Sequence, residues 1–331
     1  KGNKKIVNKK IFNTVKELFH YCFNYLLCKY TNVYMIIQFF KFTKLPQLIV
    51  SSFLSIGIMF NFKKDIISLN NLSSSLTLIL VFLLSIFIIS KNSILKNNQY
   101  TTFGLIIFSG FFYKTELNAL IVLSYFFLLL SVRKIYNLQS AKKTDKKLID
   151  IGFWFSISTI LNPINLIFCF TLFFGIYIYH KINFNILFKV FLGYISVILI
   201  AGFCLSLTKE FSLNYYYLIK ISENFLFDFQ SCHYCPDLSF PKILFPIIAI
   251  STFSIYIFKY YGSNLNERLK NSFLTLFFLN SIALFFLAED YTIFLFFPFL
   301  VTLVKIISVQ RINLFFEIVI LTTIMINSYS F

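Results

Sequence analysis

Two stretches constrain this chain more than anything else in it. LTLILVFLLSIFIIS (76–90) and NALIVLSYFFLLLSV (118–132) contain no charged residue and have no polar face. A helix that is apolar all round belongs in lipid or deep inside a large soluble core. A soluble core would need abundant surface charge to cover it. Here hydrophobic residues make up 58% of the 331 and charged residues only 13%, with a mean hydropathy of +0.78. That share of charge is about half of what a soluble domain carries. The expected fold class is therefore all-α: a polytopic transmembrane helical bundle.

Apolar runs near 46–62, 72–90, 101–113, 117–132, 149–161, 164–180, 186–207, 242–259, 271–288, 291–308 and 312–329 predict about eleven spans, with a range of nine to eleven. About 20 residues cross about 30 Å of hydrocarbon, so the third and fifth runs are short. Asn162-Pro163-Ile164-Asn165 separates the fifth from the sixth. Pro163 cannot donate a backbone hydrogen bond and disfavours helix at Asn162. The pair reads either as a re-entrant hairpin or as one long kinked helix. No second matching break and no charged residue deep in a span is evident in the sequence.

The formal net charge of +17 does not point to nucleic acid, because the lysines sit between apolar runs and form no single basic face. They serve better as topology markers. The segment SVRKIYNLQSAKKTDKKLID (131–150) carries Arg133, Lys134, Lys142, Lys143, Lys146 and Lys147. Under the positive-inside rule it belongs in the cytoplasm. Counting spans outward from it places the amino end in the cytoplasm and the carboxyl end outside. From Met35 onward seventeen basic residues and four acids, Lys91, Lys189, Arg268, Lys270 and Lys305 among them, then fall on the cytoplasmic side, and six basic residues, Lys242 among them, and eight acids, Glu116, Glu289 and Asp290 among them, fall on the outer side. The expected location is the bacterial inner membrane.

Residues 1–34 are basic and include no clear span, and Met35 is the first methionine. Residues 1–34 are expected to be an extension outside the native fold, and 35–331 to be the multi-pass domain. The alternative for 11–30 is an amphipathic helix on the membrane surface.

From Met35 onward the chain resembles a family of polytopic inner-membrane proteins of Bacteroidota, domain of unknown function 6427. The likeness rests on MIIQFFKFTKLPQLIV (35–50), NNQYTTFGLIIFSG (97–110) and LLLSVRKIYNLQSAKKTDKKLIDIGFWFSISTIL (128–161). The resemblance implies an inner-membrane location and a start at Met35. The family carries no assigned activity, so it implies no site residues.

The residues themselves suggest several chemistries. Cys232 and Cys235 flank His233 in the longest outer loop, and they read as a structural disulfide or idle thiols. A zinc site needs more ligands than this loop supplies. His20, His180 and His233 are too scattered to build an imidazole iron site, and no glycine-rich phosphate loop occurs. No metal or cofactor is expected. Cys169 and Cys204 read as small packing residues within spans.

Asp65, Glu116 and Asp290 stand at span ends facing the outer compartment, where carboxylates can act as a general base or bind a cation. They are the candidate catalytic set. AEDYTIFLFFPFLVTLV (288–304) is similar to a late segment of polyprenyl-phosphate-dependent glycosyltransferases, with Asp290–Tyr291 where those enzymes have an Arg-Tyr pair. That likeness implies an enzyme acting on a lipid-linked substrate at the outer face. The alternatives are a non-catalytic scaffold, packing on a membrane partner through grooves at Gly175, Gly193 and Gly202, and a transporter. Expected partners are membrane lipids, with a lipid-linked substrate or a membrane protein beside them and no nucleic acid.

Overall fold

The computed structural model describes residues 69–91, 118–140, 144–179, 183–207, 240–260, 265–287 and 289–309, with Pro46, Ile49, Val50 and Thr101 besides. Among these residues the chain is helical almost throughout and has no strand. The helices are α1 (Leu69–Lys91), α2 (Ala119–Asn137), α3 (Thr144–Leu161), α4 (Phe168–Tyr179), α5 (Phe184–Leu207), α6 (Phe240–Tyr260), α7 (Leu265–Leu287) and α8 (Phe296–Val309). Two 3-10 segments, Pro163–Ile167 and Glu289–Leu295, lead into α4 and α8.

Local chemistry sets the helix ends. Asn118 caps α2: its backbone is extended and its side-chain oxygen accepts from Leu120 N at 3.0 Å. At the other end of α2, Leu138 to Ser140 close into a turn, and the Lys147 ammonium donates to the carbonyls of Asn137 and Ser140, both at 2.8 Å. A lysine from the next helix thus adds a second donor to Asn137 O, which also accepts from Ser140 N at 3.2 Å, and pins the turn that follows α2. α3 stops at Asn162, whose φ of −148° and ψ of 101° are the extended geometry that Pro163 imposes on its predecessor.

Pairings along the helices give their directions. Ser158 Oγ donates to Ser124 O at 2.8 Å, Ser131 Oγ donates to Ile151 O at 3.2 Å, and Lys134 pairs with Asp150, so α2 and α3 are antiparallel. Asp145 meets Lys189 and Ile149 meets Gly193, so α3 and α5 are parallel. Gly175 lies against Ile135, and Tyr136 lies near Tyr179, so α4 runs with α2 and against α3. The chain therefore reverses at Pro163, as a hairpin does, and the alternative of one long kinked helix does not hold. Phe253 stacks on Phe278 at 4.0 Å while Tyr256 reaches Asn271, which sets α6 against α7. Phe297 meets Phe277 while Lys305 reaches Asn271, which sets α8 against α7 as well.

These directions bring Lys91, Arg133, Lys134, the charged residues of 145–150, Lys189, Arg268, Lys270 and Lys305 to one end of the bundle, whereas Lys242, Glu289 and Asp290 belong to segments that begin at the other end. The opposite end holds both 3-10 segments.

α8 forms the centre. From Tyr291 to Val304 every residue is buried. Phe82 of α1 lies against Phe296 at 4.8 Å, Tyr125 of α2 against Phe294 at 4.7 Å, and Phe168 between Phe277 and Phe294. A helix covered on all sides needs no polar face, which is why this segment reads as continuously apolar. α5 is the opposite case: its apolar stretch is only 17% buried, and it rides on α3. The approach is backbone to backbone, because a Cβ added at Gly152 or Gly193 would meet the carbonyl oxygen of Val190 or Ile149.

Among the described residues three helices, over Ala119–Asn137, Phe184–Cys204 and Arg268–Phe286, are long and apolar enough to cross a membrane. Shorter apolar helical stretches cover Leu76–Lys91, Pro163–Tyr179, Pro246–Phe258 and Tyr291–Ile306. The chain is a helical membrane protein. The runs at 101–113 and 312–329 and most of 46–62 lie outside the described residues, as do residues 1–34.

A second 3-10 segment, Glu289–Leu295, leads from α7 into α8 at the same end as the first, as a connector between antiparallel helices. Pro298 lies past this segment, near the start of α8, where a missing N–H costs nothing. One expectation needs correction: Gly175 and Gly193 are not free lateral grooves. Both are filled within the chain, Gly175 by Phe273 and Ile135 and Gly193 by Ile149, while Gly202 alone of the three faces open space.

Candidate functional site

The end with the 3-10 segments has neutral polar chemistry among its described side chains. Asn165, fully buried, donates through Nδ2 to Ser158 Oγ at 2.7 Å and to Ser158 O at 3.3 Å. Ser158 hands its own proton on to Ser124 O. From α7, Asn280 donates to Ile167 O at 3.1 Å and to Thr171 Oγ1. Thr159 and Tyr194 share a hydrogen bond of 3.1 Å that ties α3 to α5. In hydrocarbon a backbone group left alone costs several kcal/mol, so side chains that reach broken backbone are the expected remedy. The Asn162 Nδ2, Asn165 Oδ1 and Ser156 Oγ atoms of this region are buried without a protein partner. They give the break spare hydrogen-bonding capacity for water or a polar ligand.

The second 3-10 segment is handled by Tyr125. Its hydroxyl accepts from Phe297 N at 3.1 Å and donates to Phe294 O over a long 3.4 Å, bridging the joint between the 3-10 segment and α8. Phe168, which starts α4, stacks on Phe294 at 5.6 Å, so the two segments meet through aromatic rings. Neither Tyr125 nor Asn280 stood out in the sequence. The signal for Asn280 was present, since an amide inside the apolar run FFLNSIALFF must find a partner. For Tyr125 there was none, because tyrosines are common in this chain.

Asp290 lies in the segment that opens this end of α8, one residue before Tyr291. Tyr291 is buried, its ring 6.0 Å from that of Phe294. Asp65, Glu116, Cys232 and Cys235 lie outside the described residues, so no distance joins the carboxylates. Among the described residues no group of histidine, cysteine, aspartate and glutamate could hold a metal ion. Cys169 is half-buried and packs on the core as expected, whereas Cys204 is exposed on α5.

The opposite end is ionic. Lys134 pairs with Asp150, and Lys189 with Asp145 at 2.6 Å. Lys305 donates to Tyr256 Oη at 3.1 Å and Asn271 Oδ1 at 3.2 Å, locking the end of α8 between α6 and α7. Desolvation, with the Lys134 charge second, holds the Lys147 ammonium below the usual lysine range. Arg133 lies over the Phe87 ring at 4.5 Å. No family model, no curated protein and no solved structure matches this chain.

Proposed function

We propose that this is a multi-pass protein of a bacterial inner membrane, of the Bacteroidota family that 128–161 resembles, handling a lipid-linked substrate at its outer face. The ionic end is the cytoplasmic one in this reading. What supports that orientation is the gathering of most of the described charged residues, mainly lysine and arginine, at one end of the bundle. The amino end then lies in the cytoplasm and the carboxyl end in the periplasm, with about eleven spans in all.

The observation that carries the functional reading is the concentration of both 3-10 segments and the unpartnered Asn162, Asn165 and Ser156 atoms at the other end, where Asp290 is the second residue of the later segment. Polar capacity held at that depth suits a substrate with an apolar tail and a polar head. Asp290 serves as the candidate base, with Asp65 and Glu116, which the sequence puts at outer span ends. The test is photolabelling of the purified chain in vesicles with a photoreactive polyprenyl phosphate. Labelling is expected to fall in D290N, D65N and E116Q. Labelling no higher than for a heat-denatured sample, or unchanged in all three variants, would refute the reading.

A transporter is the second reading, in which the unpartnered Asn162, Asn165 and Ser156 atoms serve a polar solute at that end. Uptake of a polar solute by vesicles containing the chain, lost in N165A but kept in D290N, would choose it over the enzyme. A non-catalytic scaffold loses support from the internal use of Gly175 and Gly193.

A further inference from the structure

We infer that α1 and α2 form a site for one anionic phospholipid at the ionic end. Arg133 of α2 and Lys91 of α1 both lie over the Phe87 ring, at 4.5 and 5.4 Å from its centre. Two like charges gathered on one ring repel each other and call for a shared anion. Among the described residues neither has a carboxylate partner, whereas the next residue, Lys134, is matched by Asp150. The Arg133 Nε atom is buried and has no hydrogen-bond partner, so one donor of this half-buried guanidinium is left for an anion to take up.

The apolar half of the site runs along α1. Leu76, Leu80, Leu83 and Phe87 are exposed at helical spacing and make one stripe that ends at the two cations. The stripe is about 16 Å long at about 1.5 Å per residue, enough to hold much of an acyl chain. The cations stand where the chain leaves hydrocarbon, the level of a lipid headgroup. A guanidinium takes a phosphate through two parallel hydrogen bonds and the ammonium adds a point charge. An apolar stripe ending in paired cations is complementary to an anionic phospholipid and not to a soluble phosphate, which would leave the stripe unused. The inference needs only that the chain lies in a bilayer, and it is independent of the substrate proposed for the other end.

The experiment is native mass spectrometry of the full chain in detergent micelles, titrated with phosphatidylglycerol or phosphatidylcholine. Phosphatidylglycerol is expected to bind the wild type more tightly. R133Q and K91Q are each expected to weaken it about fivefold, the change that about 1 kcal/mol per basic residue beside an anionic surface gives. K146Q, which removes one exposed positive charge at the same end, is expected to leave it unchanged. Lys91 is exposed at a helix end, so K91Q decides the matter even if R133Q fails to fold, and melting in phosphatidylcholine shows whether it does. Equal affinity for the two lipids, or an equal loss in K146Q and K91Q, would overturn the site. Full competition by glycerol 3-phosphate at equal concentration would overturn the part played by the stripe.

Discussion

The packing of α5 on α3 makes a sharp prediction at Gly152. A Cβ at this position would lie 1.9 Å from Val190 O and 2.9 Å from Tyr194 N, both backbone atoms that no rotamer change can move. Ordinary contact begins at 3.4 Å, so 3.4 − 1.9 = 1.5 Å of opening is required. In G152A the two helices must part by about that much, and the parting strains the Lys189–Asp145 pair and the Thr159–Tyr194 hydrogen bond, which lie along the same seam. Overpacking costs about 1–3 kcal/mol, and a clash of two backbones belongs at the upper end. Alanine recovers about 1 kcal/mol through helix propensity, leaving a net loss of about 2 kcal/mol. G193A, with a Cβ 2.1 Å from Ile149 O, should cost a similar amount. The two share one seam, so the double variant should lose less than the sum. G202A, with nothing within 4 Å, is the control and should lose nothing. Thermal unfolding in micelles measures the stabilities, and disulfide formation in a D145C/K189C background measures the separation. If G152A melts with the wild type and cross-links at the same rate, α3 and α5 do not meet through these glycines.

Further outcomes are expected elsewhere. Y125F should destabilise by about 1–3 kcal/mol, because the buried Phe297 N–H loses its acceptor, and hydrogen exchange at Phe297 should quicken. N280L should loosen the start of α4, read as faster exchange around Ile167 to Thr171, while the melting point falls only modestly. The lowered Lys147 pKa means its free amine appears at lower pH, so the midpoint of its acylation rate against pH should fall below that of an ordinary exposed lysine. A cysteine at position 146 should react with an impermeant reagent only in opened cells, and one at 290 in intact cells. The reverse pattern would overturn the orientation proposed above.

The helices themselves were legible because each apolar run is its own evidence: Leu76 to Ser90 and Asn118 to Val132 have no charge and no polar face, and water is a poor solvent for such a helix wherever it sits. The break at Asn162-Pro163 was equally visible, since proline acts on its own backbone and its neighbour. Less could be read where a residue's role depends on what stands opposite. Gly175 and Gly193 looked like free grooves because a glycine in a sequence does not show whether Phe273 or Ile149 already fills the gap. The 3-10 turn before α8 was hidden because its cause is distant, a tyrosine hydroxyl on α2 that takes up the backbone of Phe294 and Phe297.

The chain's own composition thus determines that it is helical and membrane-bound, since those properties follow from the solvation of each segment taken alone. Only the tertiary structure decides that α8 is central, that α5 is peripheral and that the chain turns back at Pro163. Each of these depends on pairs of helices far apart in sequence, and close packing selects such pairs through the shapes of both partners together.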